Sequence, residues 1–512
     1  MSHRTLGIIV CSLSVALLGG CASSGTGASC PESATNAVVQ SEEVPAQTAQ
    51  DAPVATAQAD RADASGLFGA SEADDALRHS QKDADLMLFE SWPDETTLDN
   101  DFIANVVPVW IEAIESAQKT LDFEEFYAIA ADDSLPKTAA TQALAKVIDA
   151  VKEAAARGVK VRFIVDKKMS SGENGVLPEE LKKIPGVELR IISYADISGG
   201  VQHSKFFIVD GTRVYFGSQN FDWRSLTQIS EMGARLHNPS LVAPIVDIFE
   251  IDWALARDPK AEIAKTKCYE ATQIDYKGEP TIVQTVASPK SVLPCDDMWD
   301  LPKMIAMIEG AKKSVSFQLL NYATKNYDKT TFTELDKALT DAAARGVKVR
   351  MLVSDWSTRP KYMADLKRLA KVPNFEARMI EIPEHSMGFV AYSRTIHSKF
   401  LVVDDDKTWL GTSNWSGDYF YNSRNVGIVA TGTKLNAELT QSFDRYWNSD
   451  YAIVVDPNVE YEAKDQAVDG MGDEAIFCCD RSTKNRKSAT YLPPRRRANS
   501  RAAEAYGAQS AT

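Results

Sequence analysis

Histidine is scarce in this chain, with six among 512 residues. Cysteine is scarce as well, with seven. Cys478 and Cys479 are adjacent rather than at zinc-ligand spacing and have no histidine nearby, so metal binding by these thiols is not expected. A surplus of positive charge is also missing. The chain sets 56 Lys and Arg against 71 Asp and Glu, a net charge of −15. That excludes a general nucleic-acid coat, because phosphate affinity comes mainly from neutralising cations. The apolar run at residues 6–18 is too short for a bilayer span. What remains is ordinary: 44% apolar and 25% charged residues exclude the fibrous, collagen-like, multi-span membrane and wholly disordered classes. At roughly 150 residues per domain, the length suggests about three domains.

The two ends read differently from the middle. His3 and Arg4 precede the apolar run, which closes on Leu18-Gly19-Gly20-Cys21. Small residues before a cysteine resemble the bacterial lipoprotein cleavage box. Residues 1–20 are then a signal peptide, and Cys21 is lipidated and becomes the mature N-terminus; the plainer alternative is an ordinary signal peptide with an incidental cysteine. Lipid on Cys21 would anchor the chain, and Ala22 resembles outer-membrane sorting. The expected location is the bacterial cell envelope, as an exported lipoprotein anchored at the outer membrane. Export permits disulfides, with Cys268 and Cys295 the preferred pair. Residues 22–85 carry 11 acids, 3 bases and one aromatic, Phe68. So little apolar surface cannot offset chain entropy, and a disordered tether is expected over 21–85. Residues 481–512 hold 8 bases against Glu504. Arg495, Arg496 and Arg497 suit lipid headgroups or nucleic acid, or form a solvated tail, expected disordered over 457–512.

Between these ends the sequence repeats. The string AAARGVKVR occurs at 154–162 and again at 342–350, and the repeat decides the architecture. Both copies end a helical pattern at a glycine, Gly158 or Gly346, suited to the left-handed cap position. Leu144, Val147, Ile148 and Val151 form an amphipathic face in the first copy, and Thr331 with Glu334 reads as a capping box in the second. Each helix leads into a Val-rich strand, 159–165 or 347–353. Further on, the copies run in register at an offset of 194: His203 matches His397, Lys205 matches Lys399, Asp210 matches Asp404 and Asn220 matches Asn414. The pairs Phe249/Trp253 and Phe443/Trp447 match too and read as core packing. The length prior therefore becomes two domains, 86–265 and 286–456, joined by a linker at 266–285. Helix-then-strand units repeated in this way predict an α/β fold with a parallel or mixed sheet covered by helices.

Each copy carries His-x-Lys-x4-Asp, and seven residues after the Asp comes Gly-(Ser/Thr)-x-Asn. The local pattern is strand, turn, strand: 206–209 then 214–216, and 400–403 then 409–410. Residues i and i+2 of a strand share a face, so each His and Lys project together and the hairpin returns the Asn beside them. Two complete copies among six histidines make chance implausible. This pattern resembles the phospholipase D superfamily over nearly all of residues 86–456. The runs NFDWRSLTQ (220–228) and GTSNWSGDYF (411–420) resemble one branch of it, the animal lysosomal phospholipase-D-like exonucleases and their poxviral relatives. The resemblance implies two tandem domains, each a mixed β-sheet flanked by helices, related by a pseudo-twofold axis with the active site between them.

The chemistry agrees with the resemblance. A phosphodiester is attacked at phosphorus, and its leaving alkoxide needs a proton. One imidazole is a nucleophile only when neutral, and another is an acid only when protonated; an ordinary pKa near 6.5 allows either state. Covalent catalysis divides the displacement into two easier steps. Lys205, Lys399, Asn220 and Asn414, with Ser218 and Ser413, are expected to hold the non-bridging oxygens. Asp210 and Asp404, at strand ends, brace the hairpins. No metal or cofactor is required. The superfamily often places an acid 28 residues after the motif histidine to orient it. Carried over, Glu231 orients His203, while the second copy has Asn425 at that place. His203 is then the nucleophile that forms a phosphohistidine, and His397 the general acid and later the base for water; Asp418 is a candidate to orient His397. His3 lies in the signal, His79 in the tether, His237 in a loop, and His385 in a surface loop.

The expected partners are a phosphodiester substrate and a membrane reached through Cys21, with no obligate protein partner evident. The substrate is nucleic acid, cleaved from a 5′ end as the branch implies with Trp223 or Trp415 stacking bases, or a phospholipid, as for a phospholipase D or cardiolipin-synthase-like transferase. A reading of another class is an inactive, lipid-tethered binding protein on the same scaffold. Such copies usually lose a motif His or Lys, and here neither is lost.

Overall fold

The structure, a computed structural model, describes residues 71–464, all within one compact unit. The signal segment, Cys21, the tether up to residue 70, Cys478, Cys479 and the basic tail lie outside the described residues.

The repeated string does in both copies what its composition dictates. Helix Ala143–Ala156 buries Leu144, Val147, Ile148 and Val151. It stops at Gly158 (φ 94°), where Gly158 N–H donates to Ala155 and Val159 N–H to Ala154, satisfying carbonyls left over at the helix end. Helix Glu334–Ala344 stops in the same way at Gly346 (φ 92°). The expected capping box is not formed: Thr333 is the N-cap and gives no side-chain bond, while Thr331 lies outside the helix, bridged to Lys325. The strands that follow, Lys160–Asp166 and Lys348–Ser354, enter two mixed sheets, each between two parallel neighbours.

In the first sheet the order runs Ala104–Asn105, Leu86–Ser91, Ile229–Leu236, Arg213–Gly217, Phe206–Val209, Thr120–Glu125, Lys160–Asp166, Val187–Ile192. The last three are parallel and the motif hairpin is antiparallel. The second sheet repeats this arrangement around Asn425–Thr431, Lys407–Gly411, Phe400–Val403, Ser314–Gln318, Lys348–Ser354 and Phe375–Ile380. A ninth strand of the first sheet, Thr395–Ile396, comes from the second copy and pairs in parallel with Ile229 and Ser230. One hydrophobic core joins the copies, mixing Phe206, Phe216 and Phe249 with Phe400, Leu410 and Phe443. Two further large cores lie one in each copy, and a small cluster joins Phe126, Met169 and Val201. The expected architecture of two mixed sheets with helices is thus present. The pairs Phe249/Trp253 and Phe443/Trp447 stack, with Arg162 and Arg350 over their rings.

Three boundaries differ from the sequence expectation. The stretch expected as tether forms helix Glu72–Ser80, capped by Ser71 and docked through Arg78, which meets Asp74 and, at 2.9 Å, Glu112. The stretch expected as linker contains strands Thr272–Tyr276 and Glu279–Ser288, joined by a two-residue turn at Lys277-Gly278 with both φ positive. Glu279–Ser288 pairs with Asn425–Thr431 and so belongs to the second sheet. The expected tail is fixed as far as Lys464, which bonds Asp355 and Glu381. A disulfide joins Cys268 to Cys295.

Candidate active site

The two motif histidines are held by the opposite copy. His203 N–H donates to the Arg424 carbonyl, and His397 N–H donates to that of Ser230. In each case the residue that follows supplies the side-chain partner. Asn425 Oδ1 lies 3.0 Å from His203 Nδ1, and Glu231 Oε2 lies 2.8 Å from His397 Nδ1. This corrects the expectation that Glu231 orients His203. Parallel pairing of Thr395–Ile396 with Ile229–Ser230 carries the second motif across, so the carboxylate meets the histidine of the other copy. Asp418 does not orient His397 either; it accepts from Tyr327 N–H at 2.8 Å.

The two partners fix different proton arrangements. Asn425 Nδ2 donates to the Tyr419 and Ser423 carbonyls at 2.9 and 3.2 Å, and Thr412 Oγ1 donates to Asn425 Oδ1 at 3.0 Å. The amide oxygen therefore faces His203, whose Nδ1 must donate, leaving Nε2 as a bare lone pair. Glu231 differs because it can carry a proton. Burial pushes its carboxyl up to about 8, against the pull of Lys399 and the Ser218 and Ser225 hydroxyls. Below that pH the His397–Glu231 pair holds one extra proton. Whichever of the two carries it, His397 Nε2 bears hydrogen. Burial, Lys205 and Lys399 together hold the His203 pKa well below the ordinary value, and burial with the same lysines does so for His397.

Lys205 and Lys399 are buried, and each amine donates to the carbonyl of its own motif histidine. Burial lowers Lys205 to about 7, against the attraction of Glu125, Glu231 and Asp166, and lowers Lys399 well below its usual value. Asn220 and Asn414 are buried, and their amide oxygens have no hydrogen-bond partner among the described residues. The two serines are corrected: Ser218 exchanges bonds with the Met232 backbone, and Ser413 donates to Asp300, so protein groups occupy both hydroxyls. Asp210 and Asp404 take left-handed backbone (φ 53° and 51°). Asp210 accepts from the N–H groups of Gln118, Lys119 and Thr120, and Asp404 from those of Lys312, Lys313 and Ser314. Each tethers its hairpin to the start of the neighbouring strand.

Other groups at the site were not singled out from sequence. Phe126 and Tyr419 flank the His203 ring edge-on, with centroids 5.0 and 4.8 Å away. Glu125 is buried beside Lys205 in the first copy only, since the matching residue is Leu319. The signal for Asn425 was present: it stands 28 residues after His397, as Glu231 does after His203. Trp223 and Trp415, expected to stack bases, are core residues; Trp415 is 1% exposed and stacks on Phe317. His385, expected in a surface loop, is buried against Asp94 at 3.2 Å and Glu95 at 3.4 Å. His79 is exposed on helix Glu72–Ser80, and His237 lies in a loop. Among the described residues, no group of three or more His, Cys, Asp or Glu is placed to hold a metal ion.

Residues 110–253 and 304–447 each match the family model described as cardiolipin synthase, PLD-like domain. The virion nicking-joining enzyme of Vaccinia virus (strain Western Reserve) is 32% identical over 368 residues, covering 67% of this chain and 83% of that protein. The 5'-3' exonuclease PLD4 of Mus musculus is 34% identical over 308 residues, covering 54% of this chain and 60% of that protein. Among solved structures, a phosphatidylserine synthase of Haemophilus influenzae aligns with a TM-score of 0.50 at 12% identity, covering 75% of this chain and 92% of that one. That last likeness is one of fold.

Proposed function

The chain belongs to the phospholipase D-like (PLD-like) family, and on that premise we propose that it is a phosphodiesterase that cleaves nucleic acid through a phosphohistidine on His203. The reading is carried by the unequal Nδ1 partners of the two histidines. Nε2 of His203 attacks phosphorus, and the bond from phosphorus to the leaving oxygen breaks. The proton on His397 Nε2 passes to that oxygen. Water then attacks the phosphohistidine, gives a proton back to His397, and releases His203 as the P–N bond breaks. Lys205, Lys399, Asn220 and Asn414 hold the non-bridging oxygens, where charge develops. Sequence expectation paired Glu231 with the nucleophile. Paired instead with His397, it serves the acid, and the roles of the two histidines stand on the tautomer that Asn425 imposes.

Nucleic acid as substrate is supported by the names of the two relatives, an exonuclease and a nicking-joining enzyme. The competing phospholipid reading is favoured by the cardiolipin synthase description of the family model. Lipid on Cys21 would hold the enzyme at the envelope in either case. Single-stranded DNA and phosphatidylglycerol vesicles, both offered in EDTA, separate the substrates; loss of all activity in EDTA overturns the metal-free course. Roles are tested with a p-nitrophenyl diester, whose leaving group needs no acid. His397→Asn is expected to keep a burst of p-nitrophenolate and to accumulate phosphate on His203, whereas His203→Asn gives no burst. Phosphate mapped to His397 reverses the assignment, and no turnover by wild type removes the enzyme reading.

A further inference from the structure

Strand Thr120–Glu125 pairs antiparallel with Phe206–Val209, with Glu124 facing Phe206. One step further along the same register Glu125 stands opposite Lys205, and opposite residues of an antiparallel pair share a face. In the second copy Gln318 faces Phe400, so the residue opposite Lys399 is Leu319. The two motif lysines thus stand in unlike surroundings. Glu125 and Lys205 are each 1% exposed. The N–H of Phe221, the residue after Asn220, favours the charged form of the Glu125 carboxyl. Lys205 gives one donor to the His203 carbonyl, and its amine lies 5.0 Å from the Phe126 ring centroid. Glu125 Oε2 makes no hydrogen bond among the described residues, so it takes up none of the three donors that a lysine ammonium carries.

We propose that Glu125 is a positioning residue for the reaction: its carboxylate keeps Lys205 cationic, so that the first-copy lysine, rather than Lys399, supplies the positive charge that meets the non-bridging oxygens. The inference rests on the phosphodiesterase reading of the site, in which Lys205 holds those oxygens. Glu125, Glu231 and Asp166 favour the Lys205 charge against burial, Glu125 most strongly. The Lys399 amine opposes it, as do the rings of His203 and His397 when protonated. Lys399 draws support from Glu231, whose carboxyl already serves His397. A carboxylate bonded directly to Lys205 would use donors that phosphate needs. Set across the strand pair, Glu125 favours the charge and leaves those donors free, and in a buried site Coulomb attraction reaches across such a gap.

The test is the pH profile of kcat/KM for bis(p-nitrophenyl) phosphate, whose leaving group needs no acid. Burial brings Lys205 down to about 7 against the pull of Glu125, and a lysine is charged below its pKa. Removing the carboxylate lowers that pKa further. At pH 8, above both values, kcat/KM of Glu125→Gln should fall about tenfold for each unit lost. The loss should shrink as the pH is lowered, because protons restore the cation. Glu125→Asp, which keeps the charge, should retain more activity at pH 8. Glu125→Leu, which copies the second-copy residue, should behave as Glu125→Gln, and urea midpoints check that each variant is folded. A loss equal at every pH, or no loss, overturns the positioning role and leaves the phosphodiesterase reading standing. No turnover of the diester by wild type, or full turnover by Lys205→Met, removes the role of Lys205 and this inference with it.

Discussion

At His203 and His397 the same ring nitrogen meets two partners of different charge, and that difference assigns the work. Asn425 sets a tautomer without supplying a proton or a charge, whereas Glu231 brings both. Replacing Asn425→Asp would put a carboxylate on His203 and favour its imidazolium. Burial and two lysines keep His203 neutral far into acid; with Asp beside it, the ring protonates at higher pH and the nucleophile is lost there. The kcat/KM of a p-nitrophenyl diester at pH 5 should therefore fall about tenfold for each unit by which the raised pKa exceeds 5, with little change at pH 8. Glu231→Gln acts on the other ring. A glutamine oxygen would hold Nδ1–H and leave Nε2 bare, so the acid disappears. Turnover of an oligonucleotide, with its poor leaving group, should drop roughly 10²–10⁴-fold, and p-nitrophenyl esters should suffer less. In wild type the Glu231 proton is held below about 8 and lost above it, so an alkaline limb near that pH should vanish in Glu231→Gln. The members of this site were legible in the sequence, because two matched His-x-Lys motifs among six histidines stand out. Their pairing was not. A spacing of 28 from each histidine is the same whether the partner serves its own copy or the other, and only strand pairing decides.

Among the elements, the motif hairpins were read most closely from sequence: Phe206–Val209 and Phe400–Val403 form as expected. Their positions depend on Asp210 and Asp404, which stand in left-handed backbone and collect three N–H groups each. Burial opposes ionisation of Asp210, yet the donors from Thr120, Gln118 and Lys119 keep its pKa below the ordinary value. Asp210→Ala leaves those donors to water and should cost about 2 kcal/mol, within the range for hydrogen bonds to a charged group, read as a shift of the urea midpoint without change in slope. Because the hairpin carries Lys205 and Asn220, kcat should fall as well; if stability drops and kcat holds, the brace is structural only. What sequence missed here were short elements. Helix Glu72–Ser80 is only nine residues long and so acidic that composition reads it as tether. It is held by contacts from Arg78 and Asp74 to distant residues, among them Glu112 and Asn105, which no local pattern encodes. The hairpin at 272–288 turns on Lys-Gly rather than on the commoner Asn-Gly signal.

For the molecule as a whole, the crossed histidines mean that neither copy owns a complete site. Their join is a shared hydrophobic core with one fully buried ion pair inside it, Arg424 to Asp252, at 2.7 and 2.9 Å. Asp252 also accepts from Tyr194, and Arg424 donates to the carbonyls of Ser288 and Val292. The backbone of Arg424 holds His203, so the join and the nucleophile share a residue. A buried pair of this kind is expensive to break and cheap to replace. Asp252→Ala takes the forked partner from a buried guanidinium, leaving Glu124 as a remaining carboxyl that acts on it, and should destabilise by about 3 kcal/mol, whereas an apolar pair of similar volume, Asp252→Leu with Arg424→Met, should recover most of that loss. Activity discriminates what the pair is for. If it only joins the copies, the double variant regains both stability and kcat. If the fork of Arg424 also fixes the strand that presents its carbonyl to His203, stability returns while kcat stays low and His203 takes up its proton at a different pH. Urea unfolding alongside the acid limb of kcat/KM, measured on the single and double variants, distinguishes the two; full recovery of all three quantities confines the pair to a structural role.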